Sequence, residues 1–316
     1  MNLPWKTGAG LLAAVFVPFA LQAADLWQAG AGRVRITPVQ EMWMAGYGSR
    51  ARPAEGKVTD LWAKALVLDD GKGNRGVVIT LDLVGIDREI AGKVCTRLKK
   101  EFGLDRHQIS LCTSHTHSGP VVGRNLAPMH YAILDPEQQE LIDDYAERLP
   151  KRVGMAVKGA IDALAPAKVQ WGSGKAVFAV NRRENKPYGA VPDLRARGAL
   201  KGPVDHDVPV LSVRGEGGEL RAVLFGYACH ATTLAFQQWN GDYPGYAQIA
   251  LEKAYPGSTA LFWAGCGADQ NPLPRRSVEL AEHYGRDLAR AVQEVISAPM
   301  PVLNPSLSLR FREIEL

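Results

Sequence analysis

Ser114-His115-Thr116-His117-Ser118-Gly119-Pro120 sets two imidazoles two residues apart, where an apolar run ends. The run, Gln108-Ile109-Ser110-Leu111-Cys112-Thr113, reads as a strand. Residues two apart on a strand point to the same face, so His115 and His117 are expected to face one site beside a Gly-Pro turn. Neutral imidazole is a common metal ligand and carries protons near pH 7. The pattern fits a hydrolytic metal centre. It equally fits a hydrogen-bonded pair at a surface turn, because two histidines do not complete a ligand set. His230 repeats the theme: Tyr227-Ala228-Cys229-His230 places an imidazole where another apolar strand stops. His107, His130, His206 and His283 sit in no motif.

The elements that position these residues alternate between strands and helices. Arg33 to Pro38 reads as a first strand, followed by a Gly- and Arg-rich loop, Ala45-Gly46-Tyr47-Gly48-Ser49-Arg50. Leu61 to Leu68 is a strand ended by the turn signal Asp69-Asp70-Gly71. Val77 to Leu83 is β-branched and nearly continuous, as for a strand buried on both faces. Asp82 interrupts it, either as a cap for the next helix or as part of a site. Arg88 to Phe102 has helical spacing at Ile90, Val94, Leu98 and Phe102, and Gly103 stops it. Residues 77–113 thus form strand, helix, strand, a parallel crossover, and ligands gather at the carboxyl ends of such strands.

Downstream, Pro136 to Leu164 is expected to be helical with a possible break at Pro150. Lys168 to Gly172 opens a strand, and residues 187–204 look like a Gly-, Pro- and Arg-rich surface insertion. Val208 to Arg214 and Leu220 to Ala228 read as a hairpin. A helix starts at Gly241-Asp242, for which Asp242 is the expected cap, and runs to about Tyr255. Thr259 to Trp263 is a short strand, and Ser277 to Ile296 a strongly amphipathic helix. Leu307 to Leu316 alternates like a strand. The fold class expected is α/β: a mixed, mostly buried β-sheet with flanking helices and a metal site at strand ends. No repeat of 20–50 residues is visible.

Hydrophobic residues make up 46% of the 316 and charged residues 22%, as in an ordinary globular protein. Residues 1–24 read as a secretory signal peptide: Lys6, an apolar stretch from Gly10 to Ala20, then Leu21-Gln22-Ala23-Ala24. The alternative is an N-terminal membrane anchor. Residues 25–316 read as one domain. Without Lys6 the net charge of +4 falls to +3, and no Lys/Arg block argues for nucleic acid. Localisation is expected to be secreted or periplasmic. Cys95, Cys112, Cys229 and Cys266 form no CxxC pair. Disulfides in three possible pairings, or buried free thiols, both remain open.

Five segments occur in one order: Ser114 to Pro120, Asn181-Arg182, Ala228-Cys229-His230-Ala231-Thr232, Gly241-Asp242-Tyr243-Pro244-Gly245-Tyr246, and the Gly-rich loop Gly265 to Pro272. Together they resemble the neutral/alkaline, non-lysosomal ceramidase family over roughly residues 30–300. The resemblance implies hydrolysis of the amide of ceramide or another N-acyl lipid, or a small amide, by a zinc-bound hydroxide. It implies His115 and His230 as zinc ligands, His117 as the catalytic histidine beside the metal, and Arg182 as the arginine facing the substrate. Zinc lowers the pKa of bound water to about 7, an imidazole can pass a proton to the leaving amine, and a guanidinium can hold a developing oxyanion.

The sequence departs from the family at two places. Ala268-Asp269-Gln270-Asn271-Pro272 stands where the family has a serine-proline-asparagine segment, which leaves the roles of Asp269 and Gln270 open. The family completes its zinc site with a glutamate and a tyrosine further downstream, so the chain is expected to be truncated at its C-terminus. Two other readings compete. A metallo-β-lactamase-type centre would need His-x-His-x-Asp-His, which Ser118-Gly119-Pro120 does not supply. An inactive secreted binding protein with a remnant metal site is the non-enzymatic alternative.

Overall fold

The computed structural model describes Met1 and residues 26–315; the signal peptide read over residues 1–24 lies, but for Met1, outside them. One supersecondary pattern occurs twice. In the first copy, β1 (Trp27–Arg35), β2 (Trp62–Asp69) and β3 (Arg75–Leu81) form an antiparallel meander. Helix α1 (Arg88–Phe102) crosses to β4 (Ile109–Thr113), which pairs parallel to β3, and α2 (Pro136–Asp162) follows. The second copy begins at β5 (Ala165–Lys175) and carries an insertion with β6 (Ala179–Asn181) and α3 (Val191–Ala196). It continues through β7 (Asp207–Gly215), β8 (Leu220–Tyr227), α4 (Asp242–Ala254) and β9 (Thr259–Ala264), again parallel to its predecessor. After β10 (Gln270–Pro272) comes α5 (Val278–Ser297), the counterpart of α2.

Antiparallel pairing of β1 with β5 joins the copies, giving the order β4-β3-β2-β1-β5-β7-β8-β9. A short β11 (Val302–Leu303) adds to β5. The sheet folds back on itself, bringing β9 against β1, β2, β3 and β4. Three apolar layers result. Ile90, Val94 and Leu98 of α1, with Ile142, Val153 and Val157 of α2, pack on Ala63, Ala65 and Val67 of β2. Tyr243 and Leu251 of α4, with Leu288 and Val292 of α5, pack on Val223, Phe225 and Phe262. Between the sheet faces lie Trp27, Leu66, Val169, Leu224 and Leu261. Strand alternation makes this possible, since β2 sends Ala63, Ala65 and Val67 outward and Leu66 inward. Burying each of the Val, Leu, Ile and Phe side chains among these stabilises by about 1.5–3 kcal/mol.

The expected α/β class and parallel crossover are present, and the details differ in instructive ways. Pro150 lies inside α2 without ending it, and its ring is buried in that helix's packed face. The carboxylate of Asp87, not Asp82, caps α1 by accepting from Ile90 N at 2.8 Å. Asp82 is a buried peg instead: it accepts from Trp62 N at 2.9 Å and Gln248 Nε2 at 3.4 Å, tying β2 to α4. Residues 187–204 lie at the surface as expected, but are anchored to the fold at a few points. Val191 packs with Val180 and Leu273, and Asn185 Nδ2 donates to the carbonyls of Asn181 and Lys201. Residues 307–315 form no strand. Their start is held by side chains rather than a ladder: Leu307 N donates to Asp70 Oδ2, and just before it Lys72 Nζ donates to Pro305 O. All four cysteines are free.

Candidate metal centre

The histidines sit on loops at the carboxyl ends of β4 and β8, one strand from each copy. Ser114 N donates to Leu81 O at 2.9 Å, carrying β4 one residue further along β3. His115 then takes a left-handed backbone, φ 59°. The two imidazoles of the His-Thr-His stretch therefore converge through a turned loop and not by strand alternation. Thr116 is fully buried, with Oγ1 donating to Asn240 O at 2.9 Å and accepting from Ser118 N. His117 N donates to Ala231 O, which joins this loop to the one following His230.

Ring orientation is set by carbonyls. His115 Nδ1 lies 2.6 Å from Val84 O, and His230 Nδ1 2.8 Å from Gly267 O. A carbonyl only accepts, so both Nδ1 atoms carry the proton and both Nε2 lone pairs are free. His117 Nε2 lies 3.3 Å from His115 Nε2, and its buried Nδ1 has no partner. One ring nitrogen from each of His115, His117 and His230 falls within 4.8 Å of the others. Burial first, then His115, His230, Arg50 and Arg275, push the His117 imidazole down to about 2. Burial also lowers His230. Neutral imidazoles with fixed tautomers are the form that binds a metal. The donor set suits zinc, which takes imidazole nitrogen at about 2.0–2.1 Å.

Two loops brace this cluster. Gly46 has φ 94°, and a Cβ there would lie 2.5 Å from His117 Cγ, so only glycine lets the loop press on the ring. Gly46 N donates to Nε2 of buried His130 at 3.2 Å. The Tyr47 ring meets His117 edge-on at 4.9 Å, and its hydroxyl donates to Leu234 O. Asp242 has φ 53° and is the first helical residue of α4, with Gly241 at the cap position. The expected cap role is thus replaced: its buried carboxylate accepts from Thr233 N, Leu234 N and Tyr243 N, fastening the loop after His230 to the helix start.

Arg182 is placed by a small second sheet in which β6 pairs with β10, Asn181 opposite Gln270. Its N donates to Asp269 O at 2.7 Å and its Nε to Ala268 O at 3.0 Å. Asp269 and Gln270 serve this frame. Asp269 Oδ2 accepts from Asn181 Nδ2, Gln270 Oε1 from Asp205 N, and Gln270 O from His230 N. His115, His230 and Arg182 line one cavity of about 570 Å³ with Leu111, Trp263 and the glycine loop. Sequence reading missed Tyr47 and His130. The Gly-Tyr-Gly of the first loop was the available signal for Tyr47; His130 had none.

Strand-end imidazoles shared between two copies of a β-β-β-α-β-α unit define a mixed α/β protein with a three-histidine candidate metal centre. A family model described as "Neutral/alkaline non-lysosomal ceramidase, N-terminal" matches residues 27–269, and the chain belongs to that family. It is 26% identical over 251 residues to the neutral ceramidase of Pseudomonas aeruginosa, covering 77% of this chain and 36% of that protein. It is 26% identical over 256 residues to the neutral ceramidase of Drosophila melanogaster, covering 77% and 35%. The crystal structure of the P. aeruginosa neutral ceramidase shares the fold at a TM-score of 0.70 and 23% identity, over 86% of this chain and 45% of that one. A structure titled "Ceramidase complexed with C2" superposes at a TM-score of 0.71. The chain spans about a third of the length of the curated relatives it matches.

Proposed function

We propose that this chain carries the zinc-binding histidines of an exported amidohydrolase acting on ceramide or another N-acyl lipid. The observation that carries the reading is the convergence of three imidazole nitrogens within 4.8 Å, two with tautomers locked by carbonyls. His115 and His230 hold the metal through Nε2. When bound, zinc supplies Lewis-acid activation of water near neutral pH. The net reaction adds water across the amide: the C–N bond breaks, the acyl carbon gains oxygen, and the amine leaves with a proton. His117 is neutral and lies 3.3 Å from the His115 nitrogen, placed to relay a proton from the water to the leaving amine. The Arg182 guanidinium, anchored only through Nε, has its outer nitrogens for the acyl oxygen. Leu111 and Trp263 give the cavity an apolar wall for acyl carbon.

The competing reading is a secreted binding protein with a remnant metal site. Its support is that the cluster gathers three histidines and no carboxylate among the described residues. One experiment separates them. The zinc-loaded chain is assayed on an N-acylsphingosine and on simple N-acyl amides, beside His115→Ala and His117→Ala. Amide cleavage lost in both variants, with zinc lost only in His115→Ala, supports the hydrolase. Zinc bound without cleavage of any amide sinks it.

A further inference from the structure

His115 and His230 are each aimed by a carbonyl at Nδ1, and His117 is not. The Nδ1 of His117 is buried without a partner, and its Nε2 faces His115. Whatever holds this ring must reach it through its main chain and its packing neighbours. Arg50 does both. Its Nη2 donates to His117 O at 2.6 Å. Its Cζ lies 5.3 Å from the centre of the Tyr47 ring, which meets the His117 ring edge-on. On the other side, Nη1 donates to Phe236 O at 3.3 Å and to Gln237 Oε1.

Three loops meet at this guanidinium. Arg50 closes the Gly-rich loop 45–50, His117 belongs to the loop after β4, and Phe236 and Gln237 belong to the segment that leaves His230. That segment also receives His117 N at Ala231 O and the Tyr47 hydroxyl at Leu234 O. Gln237 is itself fixed: its Nε2 donates to Arg52 O at 3.0 Å, and its O accepts from Glu55 N at 2.6 Å. Tyr47 Oη accepts from Arg276 Nη1 at 3.1 Å.

None of the three oxygens that Arg50 holds is a carboxylate, and its buried Nε has no partner. Burial pushes the guanidinium down to about 10, so it keeps its charge at neutral pH. Desolvating a cation without an opposite charge costs stability. Charge-assisted bonds to carbonyls and the face of Tyr47 offset part of that cost. What a guanidinium supplies here is geometry, because its planar fork fixes the directions of several acceptors at once.

We propose that Arg50 is a positioning residue of this site. It does for His117 what the carbonyls of Val84 and Gly267 do for His115 and His230. Arg50 is not among the residues lining the cavity that holds His115, His230 and Arg182, so it acts through His117 and not on the substrate. Misplacing a reacting group by about 1 Å costs on the order of a hundredfold in rate. The effect on rate rests on the proposed hydrolase; the effect on the His117 ring does not.

The test compares Arg50→Met, Arg50→Lys and Gln237→Ala with the wild-type, zinc-loaded chain. The readouts are the imidazole NMR signals of the three histidines, zinc affinity by chelator competition, and kcat and KM on an N-acylsphingosine. Arg50→Met is expected to shift or broaden the His117 signals and to leave zinc affinity and the His115 and His230 signals unchanged. Its kcat falls by about tenfold to a hundredfold with little change in KM. Arg50→Lys keeps the charge and a donor for His117 O, and restores part of both. Gln237→Ala frees one end of the fork and moves the His117 signals by less. Glu252→Gln, which breaks the ion pair with Lys64, controls for lost stability alone and leaves the His117 signals in place. Unmoved His117 signals in a folded Arg50→Met, or in Gln237→Ala, overturn the proposal. An equal shift in Glu252→Gln does so as well, and so does displacement of all three histidines together with loss of zinc. Displaced His117 signals beside an unchanged kcat also overturn it. A wild-type chain that binds zinc and cleaves no amide counts against the hydrolase alone, and the NMR comparison still decides whether Arg50 orients His117.

Discussion

His115 and Val84 are joined by a 2.6 Å hydrogen bond from imidazole Nδ1 to the main-chain carbonyl. That bond decides which ring nitrogen faces the cavity, and His230 repeats the device with Gly267. Each histidine is thus oriented by a backbone group one loop away, and a mutation of the ring removes a pre-aimed donor. His115→Ala and His230→Ala are each expected to weaken zinc binding by more than the roughly 10–100-fold typical of losing a ligand's hydrogen-bond partner. Chelator competition followed by metal analysis measures this. Retention of wild-type zinc affinity in either variant removes that residue from the ligand set.

Gly46 should not tolerate a side chain. Its φ of 94° strains any other residue, and a Cβ would meet His117 Cγ at 2.5 Å. Gly46→Ala is expected to cost about 1–3 kcal/mol from backbone strain, and in addition to displace the His117 ring. Urea unfolding reads the first effect and the His117 imidazole NMR signals the second. A variant with wild-type stability and an unmoved His117 signal contradicts the packing described here.

Lys64 lies buried on β2, its Nζ 2.7 Å from Glu252 Oε1 of α4 and 2.8 Å from Ala260 O. Removing one partner strands the other charge. Glu252→Gln is expected to destabilise by about 3–5 kcal/mol, while pairing it with Lys64→Met recovers much of the loss. The comparison uses urea midpoints of the two single variants and the double. A double variant no better than the worse single would mean that Lys64 matters by shape and not by charge.

The local elements were legible because periodicity and caps are local. The spacing of Ile90, Val94 and Leu98 fixes α1, and Gly103 ends it in the left-handed conformation, φ 70°. The His115 and His230 placements were legible for the same reason, each standing where an apolar strand stops. What escaped sequence reading lies in long-range partnership. Lys64 looks like a polar break in a strand until α4 brings Glu252 from 188 residues away. The duplicated β-β-β-α-β-α pattern leaves no sequence period, because only the order and pairing of strands recur, not the residues. Tyr47 and Arg276 meet beside His117 only when the loops after β1 and β10 come together, and no spacing rule encodes that meeting. The strand expected over residues 307–316 had the right alternation, but a strand also needs an edge to pair with.

Asp70 is the group that holds that last segment. Its carboxylate accepts from Asn74 Nδ2 at 2.8 Å, from Lys72 N at 2.9 Å, and from Asn74 N and Leu307 N at 3.1 Å each. The Asn74 amide foremost, then these backbone N–H groups, hold the Asp70 carboxyl well below the usual carboxylate range. A folded-state value below the unfolded one of about 3.9 means the unfolded chain binds more protons on acidification. The stability this provides is therefore complete above about pH 5 and drains away as pH falls through the unfolded value towards the folded one. Asp70→Asn is expected to lower the urea midpoint at neutral pH and to speed hydrogen exchange at the Leu307 amide. The gap between wild type and variant should close as pH drops below about 4, where the unfolded wild-type chain takes up the proton that the folded carboxyl still refuses. A gap that stays constant from neutral pH to about pH 2 would mean that Asp70 acts through shape and not through its charge.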